Sequence, residues 1–131
     1  MTISSFPLLG ILLIASFLTG CASQVRHMPA DFTPSTQAGQ QSLKTKTLSH
    51  AADVQLDTGY SRSLKAGSQW VHIGTVRQGD VYKPYKDVFT LEGAHIHEAC
   101  LVVAEGQLVG FYLPVERGFS LLAKKVRLNF N

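Results

Sequence analysis

The sequence predicts an all-β fold: a small antiparallel sandwich or barrel-like sheet of about five to six strands that follows a flexible N-terminal region. Runs of aromatic and β-branched residues begin after Gln69, and the last run alternates between apolar and polar side chains. Glycines divide the region at intervals of 14, 13 and 12 residues, and they are Gly79, Gly93, Gly106 and Gly118. Glycine suits tight hairpins because it adopts positive φ without strain.

The predicted strands follow one another closely through 69–131. They cover 70–76, 81–82, 87–91, 94–104, 107–113 and 126–130. In the last of them Val126, Leu128 and Phe130 share one face, because side chains two residues apart in a strand point the same way.

The clearest hairpin surrounds Glu105 and Gly106. A two-residue loop there pairs Val103 with Leu108, Leu101 with Gly110 and Ala99 with Tyr112. The opposite face then carries Cys100, Val102, Val109, Phe111 and Leu113. Both faces are apolar, so the hairpin either lies at the centre of a sandwich or covers a partner, which Leu101, Val103 and Tyr112 would contact. A three-residue loop with a bulge would instead exchange the faces of one strand.

The N-terminus has the pattern of a secretion signal. Residues 1–20 contain no charged side chain, and 6–17 form an apolar run. This run is too short to cross a hydrocarbon core of ~30 Å comfortably as a helix, and small residues follow it as they do before a signal-peptide cleavage point. We therefore assign 1–20 to a signal peptide.

The segment Leu18-Thr19-Gly20-Cys21 resembles the lipobox of bacterial lipoproteins. The resemblance implies cleavage between Gly20 and Cys21, a thioether-linked diacylglycerol on Cys21 and usually an acyl chain on its new amino group. By analogy with enterobacterial sorting, Ala22 after the cysteine implies the outer membrane, with the protein on its periplasmic side. Two or more acyl chains make such an anchor stable without a membrane-spanning segment.

Residues 21–68 are predicted to be the lipidated cysteine and a flexible tether. Ser, Thr, Gln, Ala and Gly dominate this region, which has too little apolar surface to offset the entropy of ordering it. Residues 51–58 are the exception, since they could form a short element that docks on the domain of 69–131.

Three histidines and one cysteine are the candidates for chemistry. His95 and His97 are two residues apart, so both imidazoles could reach one metal ion, with His72 as a third ligand. The competing interpretation is that they are surface or hydrogen-bonded histidines and that no cofactor is bound. Cys100 is either a buried, inert thiol or one that pairs between molecules.

The remaining patterns favour a binding or structural role. The net charge of +3 comes from dispersed basic residues, which argues against a nucleic-acid partner. No local motif indicates a catalytic residue, so we expect no enzymatic activity. The leading hypothesis is a lipid-anchored accessory component of an envelope assembly (secretion, conjugation or pilus type) with protein partners. The alternatives are a periplasmic metal- or small-ligand-binding module and a hydrolase of envelope polymers.

Overall fold

The computed structural model describes residues 24–35 and 44–131, and the chain in these ranges is all-β as predicted. Within the described ranges, no helix is long and apolar enough to span a membrane. The strands are β1 (Met28–Pro29), β2 (Thr33–Pro34), β3 (Thr45–Thr47), β4 (Ala52–Gln55), β5 (Ser61–Leu64), β6 (Gln69–Val76), β7 (Gly79–Pro84), β8 (Thr90–Glu92), β9 (Ile96–Glu98), β10 (Cys100–Ala104), β11 (Gln107–Leu113) and β12 (Gly118–Arg127).

One antiparallel sheet contains eight of these strands in the order β1-β12-β11-β10-β7-β6-β2, and β3 also pairs with β6. The hairpins β4–β5 and β8–β9 form two small sheets of their own. Every pairing is antiparallel, and the central strands are joined by short turns.

The large sheet is curled because one short segment pairs with both of its edges. We call residues 24–35 the N-terminal strap; its β1 pairs with β12 and its β2 pairs with β6. In a flat sheet of this order β1 and β2 would lie about 29 Å apart, since six spacings of about 4.8 Å separate them. Pro29 and Thr33 are four residues apart, and four extended residues span at most about 14 Å. The strands must therefore curl into a half-barrel whose two edges approach each other at the strap.

The two faces of the sheet bury two apolar clusters. The larger cluster is centred on Phe111 and Leu101, and the smaller one contains Val102 and Tyr112. The strap covers the smaller cluster, where the ring of Phe32 stacks on Tyr112 with 5.2 Å between the centroids and 16° between the planes. Both faces are therefore packed by the chain itself.

The hairpin β10–β11 has the predicted loop but not the predicted register throughout. Val103 pairs with Leu108 as expected, whereas Val102 rather than Leu101 pairs with Gly110. The shift arises because Val109 is an extra residue on β11, which makes a bulge inside the strand instead of in the loop. Beyond this bulge the predicted faces of β11 are exchanged.

As a result of the bulge, Phe111 and Leu113 join the larger cluster with Leu101, and Tyr112 joins the smaller cluster. The last strand, predicted over 126–130, instead runs from Gly118 to Arg127 as β12, so Gly118 begins a strand and is not a turn residue. β6 and β11 lie where they are expected, and the predicted strand over 94–104 is divided into β9 and β10 at Ala99, whose N–H donates to the carbonyl of Phe89.

The folded part begins earlier than Gln69, so the tether predicted over 21–68 differs from the structure. Leu48, Leu56 and Leu64 are each at most 2% exposed and belong to the larger cluster. Residues 51–58 contain β4, the docked element that the sequence predicts. These leucines are isolated among polar residues, which is why composition alone underestimates the order of this region.

Candidate functional site

The predicted lipidation site lies outside the described residues, as do Gly20 and the rest of the lipobox. The described chain begins at Gln24, and its first buried side chain is Val25, which is 5% exposed and packs in the larger cluster. Three residues therefore separate Cys21 from a side chain of the folded core.

A short polar contact joins two hairpins. His97 of β9 donates from Nδ1 to Oε1 of Glu116, in the turn between β11 and β12, over 2.7 Å. The side chains are 13% and 23% exposed, so the pair is mostly removed from solvent. The contact fixes the β8–β9 hairpin against the end of the large sheet.

The surroundings of Glu116 favour its charged form. Burial opposes ionisation, but the hydrogen bond from His97, a backbone hydrogen bond and the nearby His97 and His27 together hold the pKa of the carboxyl below its usual value. Its second oxygen, Oε2, is buried without a hydrogen-bond partner among the described residues. A carboxylate held this way is a charged hydrogen-bond acceptor for the His97 imidazole.

The three histidines predicted as metal ligands lie in different surroundings. Nε2 of His72, on β6, lies 3.0 Å from Asp80 on β7, and its ring packs edge-on against Tyr82. His95 is exposed just before β9, so it does not share a regular strand with His97. In the part of the chain that the structure describes, no three His, Cys, Asp or Glu side chains come together as a metal site.

Cys100 is a free thiol in the smaller cluster, and only 2% of it is exposed. Burial, followed by the charge of Glu98, raises the pKa of the thiol to about 12 despite the opposing effect of Lys83. It therefore stays protonated near neutral pH, and the thiolate needed for nucleophilic attack is scarce. The placement agrees with the interpretation of Cys100 as a small apolar side chain.

The side chains predicted to face a partner are buried within the chain. Leu101 is fully buried, while Tyr112 and Val103 are 5% and 8% exposed. Leu101 and Val103 contribute to the larger cluster, and Phe32 of the strap covers Tyr112. Of the two alternatives for the hairpin, the structure has the one in which it lies at the centre of the sandwich.

Other apolar side chains are exposed instead. Ile96 and Val115 are 72% and 77% exposed, and each is the sequence neighbour of a residue in the His97–Glu116 contact. Two large apolar side chains thus lie on two elements that a hydrogen bond holds together. The other exposed large hydrophobic residues are Met28, Val88 and Leu121.

A cleft of about 180 Å³ opens at the end of β5 and β7. Trp70 and Phe89 form an edge-to-face pair in its wall, with 5.8 Å between the centroids. The guanidinium of Arg62 lies 4.6 Å from the centroid of the Phe89 ring and donates to the carbonyl of Thr90 over 2.7 Å. An aromatic wall beside a cation is suited to small, planar, anionic ligands.

Sequence reasoning missed Phe32, Glu116 and Arg62. Phe32 has a detectable signal in the sequence. Gly74 interrupts an otherwise regular strand, and glycine inside a strand often marks the close approach of another segment. A Cβ at Gly74 would come within 3 Å of the Thr33 backbone and the Phe32 ring. Glu116 and Arg62 have no such signal because their partners are distant in sequence.

Comparison of the chain with profiles of known protein families, with characterised proteins and with solved structures finds no match in any of the three.

Proposed function

We propose that the chain is a lipid-anchored outer-membrane lipoprotein whose β domain, on the periplasmic side, is a structural or accessory component of an envelope assembly. Secretion, conjugation and pilus complexes are the classes of assembly that use such components. The observation that supports this proposal is the resemblance of Leu18–Cys21 to a lipobox, followed almost at once by a folded β domain in which Val25 is the first buried side chain of the described residues. A diacylglycerol on Cys21 would hold this domain at a membrane without any spanning helix.

Two exposed apolar side chains, Ile96 and Val115, support a role in an assembly. Large apolar side chains cost solubility when they are exposed, and a partner that covers them removes this cost. The His97–Glu116 hydrogen bond holds the elements that carry this pair at a fixed relative position. Pre-ordered apolar contacts lower the entropy cost of binding a partner.

The anchor is tested by mass spectrometry of the N-terminal peptide from protein made in its native envelope. The expected peptide begins at Cys21 and carries fatty acyl chains, and Cys21→Ser is expected to abolish both acylation and membrane retention. An unacylated peptide that still contains Met1 would overturn the proposal.

The partner role is tested by photo-crosslinking in intact cells, with the crosslinking amino acid placed at Ile96 or Val115. The matched control is Val88, which is 65% exposed and lies at the cleft. We expect one discrete adduct of constant mass from Ile96 and Val115 but not from Val88. Recovery of the uncrosslinked monomer from all three positions would count against an assembly component.

The cleft at Arg62 favours a second candidate, a binding module for a small ligand. Trp70, the single tryptophan of the chain, lies in its wall, so its fluorescence reports occupancy. Titration with benzoate is expected to change this fluorescence in the wild-type protein and much less in Arg62→Gln. An unchanged spectrum at millimolar benzoate would remove this candidate.

The metal-binding version of this alternative uses His95 and His97, with His72. It predicts bound metal in protein purified without a histidine tag, and loss of that metal in the double variant His95→Ala, His97→Ala.

A further inference from the structure

The membrane anchor and the edge of the sheet formed by β1 and β12 are connected by very little chain. Four residue steps separate Cys21 from the buried Val25, and four extended residues span at most about 14 Å. From Val25 the chain runs directly into β1, which pairs with β12. The N–H of Ala30 then donates to the carbonyl of Arg117 over 3.0 Å, so the strap is fixed to this edge.

The same edge is the basic part of the protein. Residues 24–30 and 117–131 hold five of the twelve Lys and Arg side chains and none of the nine Asp and Glu side chains. The rest of the chain therefore has seven basic and nine acidic side chains. The five basic residues are all exposed, and none is in an ion pair with a described carboxylate; they are Arg26, Arg117, Lys124, Lys125 and Arg127.

In the sequence, Asp31 directly follows the first of these segments and Glu116 directly precedes the second. With both of these carboxylates counted, the five cations of the two segments remain in excess.

The irregular part of β12 presents two of these cations. Val126 pairs with Leu108, and Leu121 pairs with Gly110. The four residues 122–125 therefore stand opposite Val109 alone, and the chain bulges out of the regular ladder. Lys124 and Lys125 are exposed on this bulge.

Apolar side chains accompany the charge. Met28 of β1 is 47% exposed and Leu121 of β12 is 50% exposed. Exposed apolar side chains among lysines and arginines are typical of surfaces that lie in the interface of an anionic bilayer.

We propose that the β1–β12 edge is a membrane-contacting surface that docks on the anionic phospholipid headgroups of the bilayer holding the Cys21 lipid. The inference rests on the proposed lipid anchor and adds an orientation to it. The domain lies against the membrane on its basic edge, and the cleft lined by Arg62 and Trp70 faces away from the membrane. The short connection favours a lipid surface because lipidated Cys21 would keep Val25, at the start of the strap that pairs with this edge, within about 14 Å of the headgroups at all times.

The test uses the full chain purified from membranes and reconstituted into vesicles of phosphatidylcholine, with or without phosphatidylglycerol. A fluorophore is attached at Leu121→Cys or, as a control, at Val88→Cys; the native Cys100 is buried and does not compete for the label. Quenching by a headgroup-located quencher is expected to be several-fold stronger at position 121 than at 88. The difference should require phosphatidylglycerol and fall in high salt.

Charge variants separate electrostatic docking from simple proximity. Lys124→Gln with Lys125→Gln is expected to reduce the quenching difference roughly tenfold at low salt, because each basic residue near an anionic surface strengthens binding several-fold. The matched control, Lys65→Gln with Lys86→Gln, removes the same charge elsewhere and should leave quenching unchanged. Thermal unfolding of both variants checks that they remain folded.

The outcomes distinguish the inference from the proposed function. The mass of the reconstituted sample shows whether Cys21 is acylated, and an unacylated chain overturns both. An acylated chain with equal quenching at 121 and 88 overturns only the docking surface and leaves this edge to a protein partner.

Discussion

At the scale of single residues, Glu116 joins parts of the fold that are distant in sequence. It accepts from His97, and His27 also favours its charge. The ring of His27 fills the space above Gly118, where a Cβ would come within 3 Å of it. One carboxylate therefore links the β8–β9 hairpin, the strap and the end of the large sheet.

The depressed pKa of Glu116 makes part of the stability depend on pH. A group whose pKa is lowered by folding stabilises the fold above its unfolded value, 4.5, and this contribution is lost as pH falls through the folded pKa. Glu116→Gln is expected to lower the free energy of unfolding at pH 7 by about 1 kcal/mol. The gap from the wild type should close in strongly acidic solution.

Urea unfolding of both proteins between pH 7 and pH 3 measures this gap. The control is Glu92→Gln, an exposed glutamate, whose effect should stay within about 0.5 kcal/mol. A gap for Glu116→Gln that does not vary with pH would contradict the role of its charge.

At the scale of elements, the β10–β11 loop is a tight turn with a residue that does not suit it. Glu105 and Gly106 both have positive φ, 54° and 74°. This left-handed pair is typical of two-residue hairpin loops, where Asn-Gly is preferred. Glycine meets the requirement at Gly106, but a glutamate at the first position carries strain.

Replacing Glu105 by Asn is therefore expected to stabilise the protein by about 0.5 to 1 kcal/mol. Glu105→Ala is the matched control, since it also removes the charge but lacks the side-chain amide whose local hydrogen bonds let asparagine tolerate the left-handed region. The comparison of urea midpoints decides the matter: an alanine variant as stable as the asparagine variant would show that charge, not backbone strain, is responsible.

The strap is sensitive to a single added methyl group beneath it. In Gly74→Ala the new Cβ would collide with the Phe32 ring and the Thr33 backbone. Overpacking at this position costs about 1–3 kcal/mol, so we expect the strap to open more often. A thiol reagent should then reach Cys100 at least tenfold faster than in the wild type. Thr75→Ala, a change at the exposed neighbour, should leave the labelling rate of Cys100 unchanged.

The elements that sequence alone predicts are those whose signals are local. β6 and β11 are runs of β-branched and aromatic residues, and the Glu105-Gly106 loop lies between two such runs, so their positions are confirmed. The bulge at Val109 has no local signal, because Val109 is as suitable for a regular strand as its neighbours. The exchanged faces of β11 follow from that one residue.

The N-terminal region could not be predicted because its order depends on distant partners. Phe32 and Val25 are large apolar residues in a mostly polar segment; Val25 is buried in the larger cluster, and Phe32 is partly buried against the smaller one. The candidate contacts Arg62–Thr90 and His97–Glu116 likewise join residues 28 and 19 positions apart. Composition shows how much apolar surface a segment has to bury, but not which distant part of the chain covers that surface.

At the scale of the whole molecule, the strap completes the half-barrel. It pairs with β12 and β6, the outermost of the five central strands, so it covers part of both edges. Exposed strand edges promote aggregation, and a segment that covers two edges limits this hazard.

A chain that begins at residue 36 is therefore expected to lose cooperative unfolding, bind a hydrophobic dye and associate in size-exclusion chromatography. A chain that begins at Gln24 lacks the same lipidation site and signal but keeps the strap, and it should remain monomeric and fold cooperatively. Equal behaviour of the two truncated chains would show that the strap contributes little to the fold.

β1 makes only two residue pairs with β12. A mechanical load applied through the N-terminus is therefore resisted first by very few backbone hydrogen bonds. Tension between the bilayer and an attached structure would reach Val25 and β1 before any central strand. We expect the ladder to unzip from this end, releasing Phe32 next while the larger cluster stays intact apart from Val25. If Cys21 is lipidated as proposed, the protein would then lengthen by a few nanometres under strain and re-form when the tension falls.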